Sequence, residues 1–180
     1  MSDEVSVFEN TLQYKAVGIN SYASPQKSLG TAIYSIKNLS KRGLVQKIIN
    51  DTIEDFWPEK LDKPMMCCFD SMLGPTESTI MDYNLSLDYE IKDEYITTSI
   101  DSNSDETPFT IKSYKNEYLI SYLFKISNPG EKRGRVTACS IVTKGKKKDF
   151  NIEEAEKTVS LFASELTNIL QEYLRFGGKL

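Results

Sequence analysis

The sequence contains no histidine. This absence excludes Ser-His-Asp and Cys-His catalysis, histidine-based zinc sites and imidazole proton relays. The nine glycines are scattered, and none belongs to a glycine-rich phosphate loop followed by Lys and Ser or Thr. Catalysis by paired carboxylates stays open, because the sequence does not show which acids share a pocket. We expect a protein that is not an enzyme, with no catalytic residue and no cofactor.

Cysteine is scarce as well. The three cysteines, Cys67, Cys68 and Cys139, are an odd count with two of them adjacent, which predicts buried reduced thiols and no disulfide framework. Adjacent residues of a strand point to opposite faces, so Cys67 and Cys68 are not expected to share a metal ion. The acidic loop 101–105 lacks the glycine and the glutamate of a calcium loop. We therefore predict no metal site.

Long apolar runs are also missing, and none approaches the roughly 20 residues needed to cross a bilayer. The acidic start MSDEVSVFEN has no apolar signal core, so we expect a cytoplasmic location, with or without peripheral contact to membranes. Hydrophobic residues make up 39% of the chain, and ten Tyr and eight Phe can fill a sizeable core. This composition is typical of a globular protein.

Charge is segregated along the chain, although the formal net charge is only −4. Residues 11–50 contain six basic residues and no acidic one. Residues 81–106 are mostly acidic, and residues 132–148 are basic again. Two interpretations remain: the segments are solvated faces that pair with each other, or the basic ones meet an acidic partner such as nucleic acid, an anionic membrane or a protein.

The first third of the chain predicts a helical extension. Apolar residues at helical spacing indicate a helix over 28–41, with Gly43 at the position of a C-terminal cap. Residues 44–59 fit a second helix that ends before Pro58, or a segment that begins as a strand. The polar stretch 59–64 is the best candidate boundary. We therefore divide the chain into a basic N-terminal helical extension, 1–62, and an α/β domain, 63–180.

The second part predicts alternating strands and helices. The continuous apolar run 65–69 is typical of a strand buried on both faces. The remaining predicted elements are a strand over 77–85, a helix over 88–99, and strands over 108–115, 118–126 and 135–143, the last of these central, with a basic loop over 144–148.

The C-terminal region predicts one long helix. Its apolar residues follow each other at spacings of three and four from Ile152 to Tyr173. Either Asp149 or Asn151 can cap the start of this helix, and Gly177-Gly178 is expected to end it. Packing of this stripe on a sheet is favoured over a coiled coil. The predicted fold is α+β, with a mainly antiparallel five-stranded sheet and the order β-β-α-β-β-β-α.

Several short motifs in residues 64–180 resemble longin domains of the folliculin and DENN type. They are Phe69-Asp70 at a strand end, the Gly74-Pro75 turn, 122–126, Arg133-Gly134 and the stretch that begins at Ser140. The resemblance implies a longin-like domain, a fold related to roadblock and profilin-like domains, without catalytic residues. It implies a module of membrane-trafficking-type regulation that binds or regulates a small GTPase or pairs with another longin or roadblock domain. A homodimer is compatible with it.

The alternative function rests on the basic N-terminal segment. Residues 34–45 are similar to the end of a winged-helix recognition helix, in which Gly43-Leu44-Val45 would lead into the wing. That resemblance implies a DNA-binding transcription regulator with residues 12–62 as its head. The residues that would contact phosphates, or another anionic partner, are Lys37, Lys41, Arg42 and Lys47.

Overall fold

A computed structural model of the chain describes residues 42–81, 83–101, 106–132 and 134–180. In these ranges it contains three α-helices, five strands and a short 3₁₀ turn. They are α1 (Arg42–Phe56), β1 (Met65–Asp70), β2 (Gly74–Glu77), α2 (Tyr89–Asp101), β3 (Phe109–Tyr114), β4 (Glu117–Ser127), β5 (Val136–Lys146), the 3₁₀ turn Lys147–Asp149 and α3 (Ile152–Arg175). The chain therefore has the predicted α+β class.

The five strands form one antiparallel sheet in the order β2-β1-β5-β4-β3. The strand β5 lies at the centre, as predicted, and pairs with β4 along its whole length from Val136 to Lys146. The strands β2 and β3 form the two edges. The chain reaches β3 from β2 by crossing the sheet through α2, so early and late strands become neighbours only in the folded protein.

One face of the sheet is covered by α1 and α3. Apolar residues of α1, including Ile49, pack in one cluster with Phe162 and Leu166 of α3 and with Met66 and Ile141 of the sheet. Every one of these side chains is almost fully buried. Their removal from water supplies the main driving force for docking both helices, at about 25 cal/mol per Å² of apolar surface.

The opposite face is covered by α2 and by Leu85 and Leu87 of the segment that precedes it. Tyr95 and Ile96 of this helix pack on Met65 of β1 and Val142 of β5. A buried hydrogen bond of 2.6 Å joins the hydroxyls of Ser99 and Ser140. Apolar packing and a polar bond together hold α2 on the sheet.

The part of the predicted extension that the structure describes, 42–62, packs on the sheet domain. The helix α1 shares its core, and the ring of Trp57 lies 5.3 Å from that of Phe162 in an edge-on arrangement. The backbone N–H of Asp62 donates to the carbonyl of Lys144, 2.8 Å away. The helix predicted over 28–41 lies outside the described residues.

The prediction of a second strand over 77–85 is wrong. The strand β2 ends at Glu77, and residues 78–81 and 83–85 are not in a strand. Ile80 and Met81 pack on the side of α1 and α3, whereas Leu85 packs on the side of α2. The segment therefore passes around the edge of the sheet, because its apolar residues serve both cores.

The structure also decides several local predictions. Gly43 lies in the first turn of α1, and Leu44-Val45 are helical, so the helix predicted over 44–59 is confirmed and the alternative that it begins as a strand is wrong. The segment 144–148 is not a loop throughout, since Lys144 to Lys146 complete β5. The predicted cap Asp149 belongs to the 3₁₀ turn.

The ends of α3 agree with the sequence. The side chain of Asn151 accepts a hydrogen bond of 3.0 Å from the backbone N–H of Glu154. At the other end Gly177 has φ +87°, and the N–H groups of Gly177 and Gly178 donate to the carbonyls of Leu174 and Tyr173. This pair of hydrogen bonds forms a Schellman cap. No helix within the described ranges is both long enough and apolar enough to cross a membrane.

Replacing Leu166 by arginine is expected to unfold the protein. Its side chain is fully buried between α3 and the sheet, and an unpaired charge there should lower the free energy of unfolding by more than about 4 kcal/mol. The measurement is urea unfolding followed by circular dichroism. Ser164→Arg is the matched control, because Ser164 is an exposed residue of the same helix and its substitution should cost less than about 0.5 kcal/mol. A folded Leu166→Arg variant would contradict this packing.

The three cysteines are expected to react slowly while the protein is folded. All are free and buried, and burial raises the pKa of the Cys67 thiol from 9.0 to about 12. The Cys139 pKa is also raised, first by a 3.3 Å hydrogen bond with Cys68. An aromatic disulfide reagent at pH 8 should therefore label less than one thiol in minutes, and all three after denaturation. Rapid labelling of the native protein would contradict this.

Candidate interaction surface

The β1–β2 hairpin has a turn held by its own aspartate. Asp70 pairs with Gly74 across the hairpin, and Ser71, Met72 and Leu73 form the loop between them. One carboxylate oxygen of Asp70 accepts hydrogen bonds from the backbone N–H groups of Met72 at 2.7 Å and Leu73 at 2.9 Å. These bonds stabilise the ionised form and lower the pKa of Asp70 below 3.8. Gly74 has φ +79°, a conformation that favours glycine.

The tip of this hairpin presents apolar side chains to solvent. Met72 is 92% exposed and Leu73 is 78% exposed. Phe69, at the end of β1, is 37% exposed. Because Asp70 fixes the loop backbone, these side chains are displayed on an ordered turn.

Other exposed apolar residues lie at the same end of the sheet. Val136 begins β5 and Phe176 follows the end of α3, and both are more than one-third exposed. We define the hairpin end as Phe69, Met72, Leu73, Val136 and Phe176. These are five of the seven large exposed hydrophobic residues in the described part of the chain, the other two being Tyr89 and Ile152. Exposed apolar side chains gathered at one end of a sheet are typical of interaction sites.

A cleft of about 600 Å³ adjoins the hairpin end. Phe69 and Thr76 of the hairpin form one wall, and Leu174 with the residues after α3 forms another. The side chain of Asn128 supports the nearby β4–β5 connection, since its oxygen accepts from the N–H of Gly130 and its nitrogen donates to the hydroxyl of Thr137. The hairpin tip thus stands beside a concave surface.

The motif residues of the longin resemblance fall mainly at this end. Phe69 and Asp70 end β1, and Gly74 and Pro75 begin β2 opposite them. Gly134 lies in the β4–β5 connection with φ +77°, while its neighbour Arg133 is outside the described residues. Ser140 is buried one strand away and bonds to α2.

Of the apolar residues of the hairpin end, only Phe69 was singled out from the sequence, as a motif residue. Met72 and Leu73 carry a signal that could have identified them, because two large apolar residues stand inside a turn bounded by Asp70 and Gly74. Val136 and Phe176 carry no such signal. Their exposure depends on where β5 and α3 end relative to the hairpin.

The four candidate residues for an anionic partner are not seen together. Lys37 and Lys41 lie outside the described residues. The guanidinium of Arg42 donates to the carbonyl of Lys179 at 2.6 Å and to the hydroxyl of Thr79 at 2.5 Å. The ammonium of Lys47 pairs with Asp51, 2.6 Å away. The two described residues, Arg42 and Lys47, therefore bind groups of the protein itself.

The hairpin end offers apolar surface for contact. The neighbouring carboxylate of Asp70 already accepts hydrogen bonds from the backbone of the turn. Within the described ranges, no group of three or more Cys, Asp or Glu side chains is placed to hold a metal ion. This arrangement suits recognition of an apolar surface on another protein.

Removing the Asp70 carboxylate is expected to loosen the hairpin tip. In Asp70→Ala the amides of Met72 and Leu73 lose their acceptor, so their hydrogen-exchange rates at pH 7 should rise by roughly an order of magnitude. Asp70→Asn is the matched control, since its amide oxygen still accepts. In the wild type the protection should persist as the pH falls, and be lost only when the carboxyl protonates below 3.8. Equal rates in all three proteins would contradict this role.

Comparison of the chain with protein-family models finds no match, and comparison with curated proteins finds no significant match.

Proposed function

We propose that this chain is a non-catalytic protein-interaction module of the longin-like type. Its partner would be a small GTPase or another longin or roadblock domain. The observation that carries the proposal is the hairpin end, where five exposed apolar side chains lie in or near a turn held by Asp70. Removing exposed apolar side chains from water is favourable in free energy, so such side chains favour association with a partner.

The arrangement of elements supports the same proposal. The strands and helices from β1 to α3 follow the order β-β-α-β-β-β-α, which is the order that the resemblance implies. The sheet is covered on both faces, so its ends and edges are the surfaces left for a partner. A rigid sheet with an apolar tip binds without refolding, which limits the entropy lost on association.

The hairpin end is better suited to a partner than the edge of β2. Pro75 lies in this edge strand and has no N–H group to donate to an added strand. The strand is also only four residues long. We therefore assign recognition to the side chains of the hairpin end and not to strand addition at β2.

The direct test is binding of the full chain to a panel of small GTPases, each loaded with GDP or with a non-hydrolysable GTP analogue, and to longin and roadblock domains. We expect at least one partner to bind, measured by biolayer interferometry. The double variant Met72→Asp/Leu73→Asp should weaken this binding about tenfold or more, because truncated or charged anchors at an interface centre commonly cost over 1 kcal/mol.

Tyr89→Asp is the matched control for the double variant. Tyr89 is 82% exposed but lies outside the hairpin end, so its substitution should leave the affinity within about twofold. Absence of binding to every member of the panel would overturn the module proposal. Wild-type affinity in the Met72→Asp/Leu73→Asp variant would overturn the hairpin end as its surface. Light scattering of the same samples detects a homodimer.

A further inference from the structure

A cleft lined by lysines lies at the other end of the sheet. It has a volume of about 620 Å³ and is formed where the β3–β4 turn meets the turn after β5. Its lining residues are Lys115, Asn116, Glu117, Lys146, Lys147 and Lys148. The backbone N–H of Lys147 donates to the carbonyl of Asn116 at 2.9 Å, so the two turns are held against each other. We refer to this site as the lysine cleft.

The charge of the lysine cleft is unbalanced. Four lysines line it together with a single acidic residue, Glu117. Both oxygens of the Glu117 carboxylate accept hydrogen bonds of 3.0 Å from the buried ammonium of Lys144, behind the cleft. The only acidic group of the lining is thus already bound to a cation that does not line the cleft.

The four lysines have few other anionic partners. The ammonium of Lys115 lies 3.6 Å from a carboxylate oxygen of Asp88, and both side chains are more than two-thirds exposed. Lys147 donates to the hydroxyl of Ser113 and lies over the ring of Tyr118. In the part of the chain that the structure describes, Lys146 and Lys148 form no ion pair. Like charges gathered in this way repel each other, and a bound anion would relieve that repulsion.

The backbone adds a second indication that the lysine cleft is a binding site. Lys115 has φ +52°, a left-handed conformation that costs a residue with a side chain about 1–2 kcal/mol relative to glycine. A glycine would form this two-residue turn more easily. The turn instead carries a cation next to the cleft, and backbone strain of this kind is concentrated at functional sites.

We propose that the lysine cleft binds a ligand bearing several phosphate groups, of the kind found in inositol phosphates and phosphoinositide headgroups. Lysine ammonium groups bind phosphate as point charges without a fixed direction, which suits several phosphates around one small ring. The cleft volume accommodates such a headgroup, whereas a nucleic acid needs a longer track of cations. This site is distinct from the hairpin end, so it adds to the proposed function and does not depend on it.

Calorimetry of the full chain with inositol hexakisphosphate and with inositol trisphosphate tests the cleft in solution. Cosedimentation with phosphatidylcholine vesicles containing either a phosphoinositide bisphosphate or phosphatidylserine of equal total charge tests the lipid source. We expect phosphate-ligand binding in at least one arm. Binding of the free inositol phosphates alone assigns a soluble ligand. Sedimentation with phosphoinositide vesicles and not with phosphatidylserine vesicles assigns a lipid headgroup.

Lys146→Ala/Lys148→Ala is the diagnostic variant, since both side chains are exposed and their removal should not unfold the chain. Its affinity for the phosphate ligand should fall about tenfold or more, as expected for the loss of two charge-assisted contacts. Lys132→Ala/Lys179→Ala is the control with the same change in net charge. Both residues are exposed, and neither lines the cleft. The control should keep wild-type affinity.

Three results would overturn the proposal: no binding of any phosphate probe, equal weakening by both double variants, or binding only to duplex DNA or RNA. The Met72→Asp/Leu73→Asp variant should bind the phosphate probe like the wild type, and the Lys146→Ala/Lys148→Ala variant should bind a protein partner like the wild type. Failure of the lysine cleft is therefore distinguishable from failure of the hairpin end.

Discussion

The fold depends on covering both faces of the central strands β1 and β5. Residues 65–68 of β1 are buried without interruption, although alternate side chains point to opposite faces. A strand of this kind is stable only when apolar groups lie on both sides of it. The helices α1 and α3 meet this need on one face and α2 on the other, and the segment after β2 contributes apolar side chains to both.

Covering the centre in this way leaves the two ends of the sheet to interact with other molecules. The strands β4 and β5 have 11 residues each and span about 35 Å. The exposed apolar residues gather mainly at the hairpin end, and four lysines line the lysine cleft. Two ligands of different chemistry would not compete for space at this separation. A domain of this design would join an apolar protein surface to a phosphate-bearing ligand.

The edges of the sheet are protected against unwanted pairing. At one edge β2 is short and contains Pro75. At the other edge β3 carries Lys112, whose ammonium lies 2.9 Å from a carboxylate oxygen of Glu94 in α2. Prolines, charged side chains and short strands at edges reduce association through backbone hydrogen bonds. This protection of the edges is the reason why we propose that partners are recognised by side chains at the ends of the sheet.

Local sequence determined the elements whose signals act over a few residues. The stripe of α3, its cap at Asn151 and the apolar run of β1 each predicted the observed element, because periodicity, capping and alternation are local properties. The Phe69-Asp70 pair marked the end of β1, whereas the turn predicted at Gly74-Pro75 lies at Ser71 to Leu73 and these two residues begin β2. Only the tertiary structure decided the course of the chain after Glu77, since Ile80 and Leu85 pack on opposite cores.

Tertiary structure alone also created the two proposed surfaces. Lys115 is separated from Lys146 by 31 positions, and Val136 is even farther from Met72, yet strand register brings each pair to one end of the sheet. The sequence determined that lysines follow β5 and that apolar residues stand in the β1–β2 turn. It did not determine that they form a cleft and an exposed patch, because burial depends on neighbours that only folding supplies.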